Sequence, residues 1–268
     1  MNLCMMSCAM GGDPRKIAET AVRCGMSGID WTHTGKDSAK GLKKIADDAG
    51  LRIVSFTTLD TRITSCGPER MEAFLDFLEQ TVSLGAPEMM VPPFSAVGAA
   101  TREDALLRWI DFYSEIQLLA AEEGIFVSFE TTPAAGAGSP VFSPQEALRI
   151  LQSVPGMKMV FDQGNISLAS DPAEACGLLR DFIVRFHLKD FEIGTGPGPG
   201  FRESVNGHWY RFARMGCGSL DLPGFWKRVP ESLRSCYVTP ETNDPAGIIP
   251  IQDVMLSASD WMRSWEEE

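Results

Sequence analysis

"EGIFVSFE" (123–130) sets a glycine before an apolar run that ends on a carboxylate. Gly124 turns the end of a helical segment directly into a β-rich run, through the left-handed backbone that glycine adopts at little steric cost. The same junction recurs in "CGMSGID" (24–30) and "AGLRIVSF" (49–56). Working outward, β-rich runs fall at 3–9, 27–31, 51–58, 87–93, 124–130, 157–165, 182–190 and 235–241. Helical stretches follow in turn: one opened by Asp13-Pro14, one at 37–49, "PERMEAFLDFLEQTVSLG" (68–85), then 102–123, 143–153, 171–180, 222–229 and 250–264. In the third of these, Met71, Phe74, Leu75, Leu78 and Val82 recur at helical spacing.

Strict βα alternation demands parallel strands, because parallel neighbours need crossover connections. Eight such units in 268 residues predict a closed (β/α)8 TIM barrel, with an open doubly wound sheet as the runner-up. One domain over 1–268 is expected, its last helix (250–264) packing on the barrel. Trp261 and Trp265 lie one helical turn apart there, as a stripe facing either the barrel wall or a second copy in a homo-oligomer.

Apolar residues at 44% and charged residues at 22% are the balance of a folded chain with a real core. Asp and Glu outnumber Lys and Arg by 36 to 24, for a net charge of −12, which disfavours nucleic acid and favours a neutral small molecule. The opening "MNLCMMSCAMGGDPRK" lacks a basic leader and reads as a first strand. No apolar run approaches the roughly 20 residues needed to span a bilayer. Seven scattered cysteines (4, 8, 24, 66, 176, 217, 236) form no C-x-x-C pair and suit reduced thiols in a cytoplasm. "EIGTGPGPGF" (192–201) fails the dinucleotide register, and the long loop it opens is read as a flap over a site or as plain surface.

Four successive β-rich runs end in metal-competent groups: "FVSFE" on Glu130, "MVFD" on Asp162, "VRFH" on His187 and "YVTPE" on Glu241. Singly, each reads as a cap or a solvated loop residue. In a barrel all four meet at the C-terminal mouth, where crowded carboxylates must take up protons or bind a cation. Three oxygen donors and one imidazole suit a single divalent ion, Mn²⁺, Mg²⁺ or Co²⁺ first, with zinc or iron also compatible. No cysteine joins the set, so a thiolate-rich zinc site is excluded.

"FHLKD" (186–190) is similar to the His-x-Lys-Asp signature of the xylose isomerase-like TIM-barrel superfamily, the sugar isomerase/epimerase group. "FDQGN" (161–165) resembles its strand-six Asp-x-Gly-His/Asn element, and "MGCGSLD" (215–221) its Gly-x-Gly-x-x-Asp stretch. The resemblance implies Glu130, Asp162, His187 and Glu241 as metal ligands, Glu130 and Glu241 as the acid/base pair, and Lys189 as a contact to a substrate oxygen. Strand two departs, reading "DWTHTG" where relatives end in Glu, so Trp31 and His33 stand at that rim. Asn165 replaces a histidine, and no Glu and Arg match the extra pair of the ketose 3-epimerases. Only His33, His187 and His208 are present, too few for the nuclease branch.

The expected substrate is therefore an unphosphorylated sugar or sugar-like hydroxy-ketone. Glu130 or Glu241 removes its α-proton to give an enediolate, and the partner returns a proton, as an isomerase or epimerase does. A dehydratase of the inosose or dehydroshikimate type is the alternative, and a catalytically silent sugar-binding barrel the second. Asn165 holds a substrate hydroxyl or caps a loop. His208 and Trp209 touch substrate or anchor the long loop. Trp31 walls a sugar ring or belongs to the core. Arg185 shares the parity of His187 and so points into the barrel, to neutralise buried carboxylates.

Overall fold

The computed structural model describes residues 1–33, 38–133 and 140–266. The chain runs β1 (Asn2–Met6), α1 (Ser7–Met10), α2 (Pro14–Arg23), β2 (Gly28–His33), α3 (Ala39–Ala49), β3 (Arg52–Thr58), α4 (Thr61–Thr64), α5 (Arg70–Leu84) and β4 (Glu88–Met90). It continues through α6 (Arg102–Glu122), β5 (Phe126–Phe129), α7 (Pro144–Ser153), β6 (Lys158–Asp162), α8 (Gln163–Ser167), α9 (Pro172–Leu179) and β7 (Ile183–Leu188). Then come β8 (Asp190–Gly194), β9 (Arg202–Glu203), β10 (Trp209–Ala213), α10 (Leu222–Arg228), β11 (Tyr237–Pro240) and α11 (Ile251–Ser264).

Eight strands close in the order β1-β11-β7-β6-β5-β4-β3-β2, and every neighbouring pair is parallel. The TIM barrel predicted from the alternation is the fold. Local chemistry sets the junctions: Asp13 caps α2 ahead of Pro14, Ser143 and Glu146 form a capping box on α7, and Gly124 (φ +72°) turns the end of α6 toward β5.

Period-2 alternation sorts the strand side chains into two layers. Aromatics face outward into the helices: Phe56 meets Phe77 of α5, Phe129 meets Tyr113 of α6, and Phe161 and Phe186 meet Phe225 of α10. The inward positions of the lower barrel are polar. Arg185 Nε lies 2.9 Å from Glu88 Oε2 and its Nη1 3.0 Å from Asp30 Oδ2, all three side chains being buried. Thr57 donates to Asp30, and Ser128 to Glu88. Arg185 thus points inward and neutralises carboxylates, as its parity with His187 predicts.

Several expectations change. The first strand ends at Met6, and Ser7–Met10 coils into a short helix. The helix expected at 37–49 is α3, which begins at Ala39; the expected start near residue 37 lies outside the described residues. On α5, Phe74 and Leu78 are buried with Phe77, whereas Leu75 and Val82 are 50% and 45% exposed, because the buried stripe runs through Ala73, Phe77 and Leu84 instead. The stretch read as a long loop holds a three-stranded antiparallel sheet, β8-β10-β9, with its own small core of Phe142, Leu168, Phe191 and Tyr210. Trp265 is buried in the main core and meets Trp261 edge-on at 4.8 Å, so this stripe serves the barrel wall.

The buried Arg185 cluster yields a stability prediction. Removing the cation leaves Asp30 and Glu88 charged and unpaired in the barrel, a change that costs about 3–5 kcal/mol. Arg185→Met is expected to lose that much in urea unfolding, and the Asp30→Asn/Glu88→Gln/Arg185→Met triple variant to recover part of it. An Arg185→Met chain as stable as the parent contradicts the assignment.

Candidate metal centre

Each site side chain stands where a barrel strand ends. Glu130 follows β5, Asp162 closes β6, His187 lies near the end of β7, and Glu241 follows β11. Register brings them together: His187 pairs with Asp162 on one side and with Thr239 on the other, and Glu241 N–H donates to Leu188 O at 2.8 Å. One ligand atom from each of Glu130, Asp162, His187 and Glu241 lies within 4.8 Å of every other. His187 presents Nδ1, at 3.1 Å from Glu130 Oε2 and 3.8 Å from Glu241 Oε2. Glu130, Asp162 and His187 are buried, while the Glu241 side chain keeps 25% exposure toward the mouth.

Lys189 completes the cluster. Its Nζ lies 2.6 Å from Asp162 Oδ2 and 2.6 Å from Glu241 Oε2, beneath the Phe212 ring at 5.6 Å. The methylene stem of Lys189 passes over Gly164, where a Cβ would stand 2.3 Å from Lys189 Cγ. The glycine of "FDQGN" is therefore a packing requirement. Asp190, the next residue, accepts from the N–H groups of Gly216, Gly218 and Leu220 at 3.1, 2.8 and 3.1 Å. A Cβ on Gly218 would lie 2.2 Å from Asp190 Oδ1, so the glycine turn and the strand-seven motif are one interlocked unit.

Charge in the cluster is unbalanced, with three carboxylates facing one ammonium. Burial pushes Glu130 up to about 7 and Asp162 up to about 8, with neighbouring carboxylates adding to the rise and Lys189 opposing it. Burial alone would raise Glu241 as well, but Lys189 and His187 bring it below the usual carboxylate range. For Lys189, burial works against the charge, and Asp162, Glu241 and Glu130 outweigh it. Burial, helped by Arg185, lowers His187 to about 4, so its imidazole is neutral. Protons shared by Glu130 and Asp162 take up the excess charge. Asp162 Oδ2 is buried without an aligned hydrogen-bond donor, its contact with Lys189 being one of charge. Oxygen donors and a neutral imidazole, one atom from each within 4.8 Å of the others, fit a divalent cation.

The other candidates fall elsewhere. Asn165 lies beside the cluster, yet its N–H caps onto Asp162 Oδ1 at 2.9 Å and its amide donates to Thr131 O at 2.7 Å. Asp162 is thus the cap of α8, and the Asn165 amide ties that helix to the segment after β5. Trp31 and His33 are not rim groups: Asp30 points inward, so its neighbours of opposite parity point out. Trp31 is buried in the core, and His33 packs on Phe56 and Phe77 at 5.7 and 5.5 Å. His208 is exposed in the turn between β9 and β10, where its backbone pairs with Ser204, and no contact joins its side chain to the cluster among the described residues. Phe212, which the sequence did not single out, contacts Lys189 across the sheet. The alternation of "WYRFA" was the available signal.

Residues 18–265 match the model of the xylose isomerase-like TIM barrel family, and the chain belongs to that family. Comparison with curated protein sequences gives no match. Among solved structures the chain resembles D-allulose 3-epimerase from Methylomonas sp., at TM-score 0.75 and 16% identity, over 99% of this chain and 98% of that one. It also resembles a probable 3-DHS dehydratase of petrobactin synthesis from Bacillus anthracis, at TM-score 0.72 and 13% identity, over 98% and 99%. A third is the IOLI protein with a binding zinc atom, at TM-score 0.74 and 16% identity, over 99% and 98%. At these identities the likeness is one of fold. Among the described residues, no helix is long and apolar enough to cross a membrane.

The raised carboxylates predict a pH effect on the metal-free protein. Glu130 and Asp162 hold protons more tightly folded than unfolded, so the stability they contribute is full below the ordinary carboxylate range. It is lost as pH rises through about 7 and about 8. His187, lowered to about 4 from 6.5, works in the opposite direction between those two values, so the carboxylate fall is read cleanly above about 6.5. In EDTA the melting temperature is expected to fall over that range, less so in Asp162→Asn, and Mn²⁺ is expected to remove the fall. Equal slopes for parent and variant would refute the assignment.

Proposed function

We propose that the chain is a divalent-metal-dependent isomerase or epimerase of a sugar or sugar-like hydroxy-ketone. The observation that carries this reading is the convergence of Glu130, Asp162, His187 and Glu241 at one barrel mouth beside a charged Lys189. A divalent ion held by those four residues supplies a Lewis acid for a carbonyl and its adjacent hydroxyl. Manganese, magnesium or cobalt suits the oxygen-rich set best, and zinc is compatible with it.

The chain's own groups divide the proton work. β5 and β11 stand on either side of the β6–β7 pair, so Glu130 and Glu241 flank a substrate from two directions. Glu241, the more exposed and kept ionised by Lys189, takes the α-proton. Glu130, deeper and slower to ionise, returns a proton on the other face or at the neighbouring carbon. Lys189 keeps its charge throughout and steadies the oxygen on which negative charge grows. The roles are set by burial and by one ammonium.

A second reading rests on Lys189 alone. An ammonium within 2.6 Å of the base is also placed to protonate a departing β-hydroxyl, and the 3-DHS dehydratase likeness fits that outcome. A product lighter by one water selects it.

Solvent deuterium exchange at the α-carbon tests the main proposal. Exchange is expected with Mn²⁺ or Co²⁺ and absent in EDTA, and Glu241→Gln is expected to slow it by about 100-fold or more. A metal-loaded chain that exchanges no ketose, aldose or inosose removes the proposal.

A further inference from the structure

We infer that the substrate carries an anionic group, a carboxylate or a phosphate, which is held by Arg202 and Arg214 in a cavity next to the metal centre. The inference rests on the proposed reaction at Glu130 and Glu241, and it specifies the class of compound that reaction uses.

The cavity, of about 800 Å³, lies between the three-stranded sheet and the segment after β11, with Phe212 and Asp244 among its walls. A smaller cavity of about 190 Å³ is lined by Phe212, Glu241, Thr242 and Asn243. The two therefore adjoin across Phe212, along consecutive residues 241–246. Phe212 is also the ring that covers the Lys189 ammonium. A molecule with its reacting carbons at Glu241 has its far end in the larger space, which is of ordinary ligand size.

Three guanidinium groups line that space, from Arg202, Arg211 and Arg214. Arg211 is satisfied by Glu192, at 2.6 and 2.9 Å, and stacks on Phe201 at 4.9 Å. The other two have no carboxylate within ion-pair distance among the described residues. Arg214 reaches Cys217 Sγ at 3.3 Å. The Asp244 carboxylate accepts from the N–H groups of Ala246, Ile248 and Ile249 and sets its charge toward Arg214 without a direct contact. Two guanidiniums that line one cavity without a carboxylate in contact are a forked set of donors matched to carboxylate or phosphate oxygens. In a chain whose net charge is −12 the bulk field repels anions, so recruiting one calls for local positive charge such as this. The overall charge favours a neutral substrate, and the cavity reverses that expectation at the site itself.

Calorimetric titration of the Mn²⁺-loaded full chain tests this with a 2-ketohexose, its 6-phosphate and a ketohexuronate of the same carbon length. One of the acids is expected to bind about tenfold or more tighter than the neutral ketose, the usual scale of a charge-assisted contact. The better of the two identifies the group, and the advantage shrinks as salt is raised. Arg202→Ala/Arg214→Ala is expected to erase the advantage while leaving the neutral ketose unchanged, and the double lysine variant to retain part of it. Equal binding of all three compounds, no binding by either acid, or an advantage that survives the double alanine variant overturns the inference. Tighter acid binding without deuterium exchange leaves it standing and removes the isomerase reading instead.

Discussion

Like charge crowded into a poorly solvated space is the constraint around which the molecule is arranged. Three carboxylates meet at one end of the barrel, and no arrangement of the backbone alone relieves them. Lys189 answers part of that charge, and protons or a cation must answer the rest. One layer below, Asp30 and Glu88 repeat the problem and Arg185 resolves it. His187, between Arg185 and the acidic cluster, stays neutral because both burial and Arg185 oppose its protonation.

How much of this is legible in the sequence depends on the range of the interaction. Helix–glycine–strand junctions are local, so the barrel follows from segments such as "AGLRIVSF". The four strand-end groups follow once the barrel is accepted, because every parallel strand delivers its last residue to the same mouth. The inward direction of Arg185 needs only parity with His187. The same rule, applied to Asp30, turns Trp31 and His33 outward; counting them as rim residues overlooked the alternation. On α5 the apolar residues surround too much of the helix for spacing alone to select the buried face.

Long-range pairing was harder to see. The Gly- and Pro-rich run at 194–200 hides the fact that "DFEIG" and "WYRFA" are partners, since the strands are separated by a connection with no regular pattern of its own. The purpose of "MGCGSLD" was equally hidden. Its second glycine, Gly218, leaves room for Asp190 to collect three backbone N–H groups, a relationship between a side chain and a turn more than 20 residues away. Asn165 looked like a substrate contact because of its place after Asp162, and only the position of Thr131 O reveals why an amide is needed there.

The three-stranded sheet begins at Asp190, the residue after Lys189, with no spacer between barrel and sheet. Its outer turn is tied back to the barrel loops, Val205 N–H to Pro133 O and Asn206 to Leu168 O. It behaves mechanically as a lintel fixed at both ends, with the ammonium built into one of its supports. The wall of the outer cavity and the charged amine therefore share one continuous stretch of backbone, and neither can be placed independently of the other.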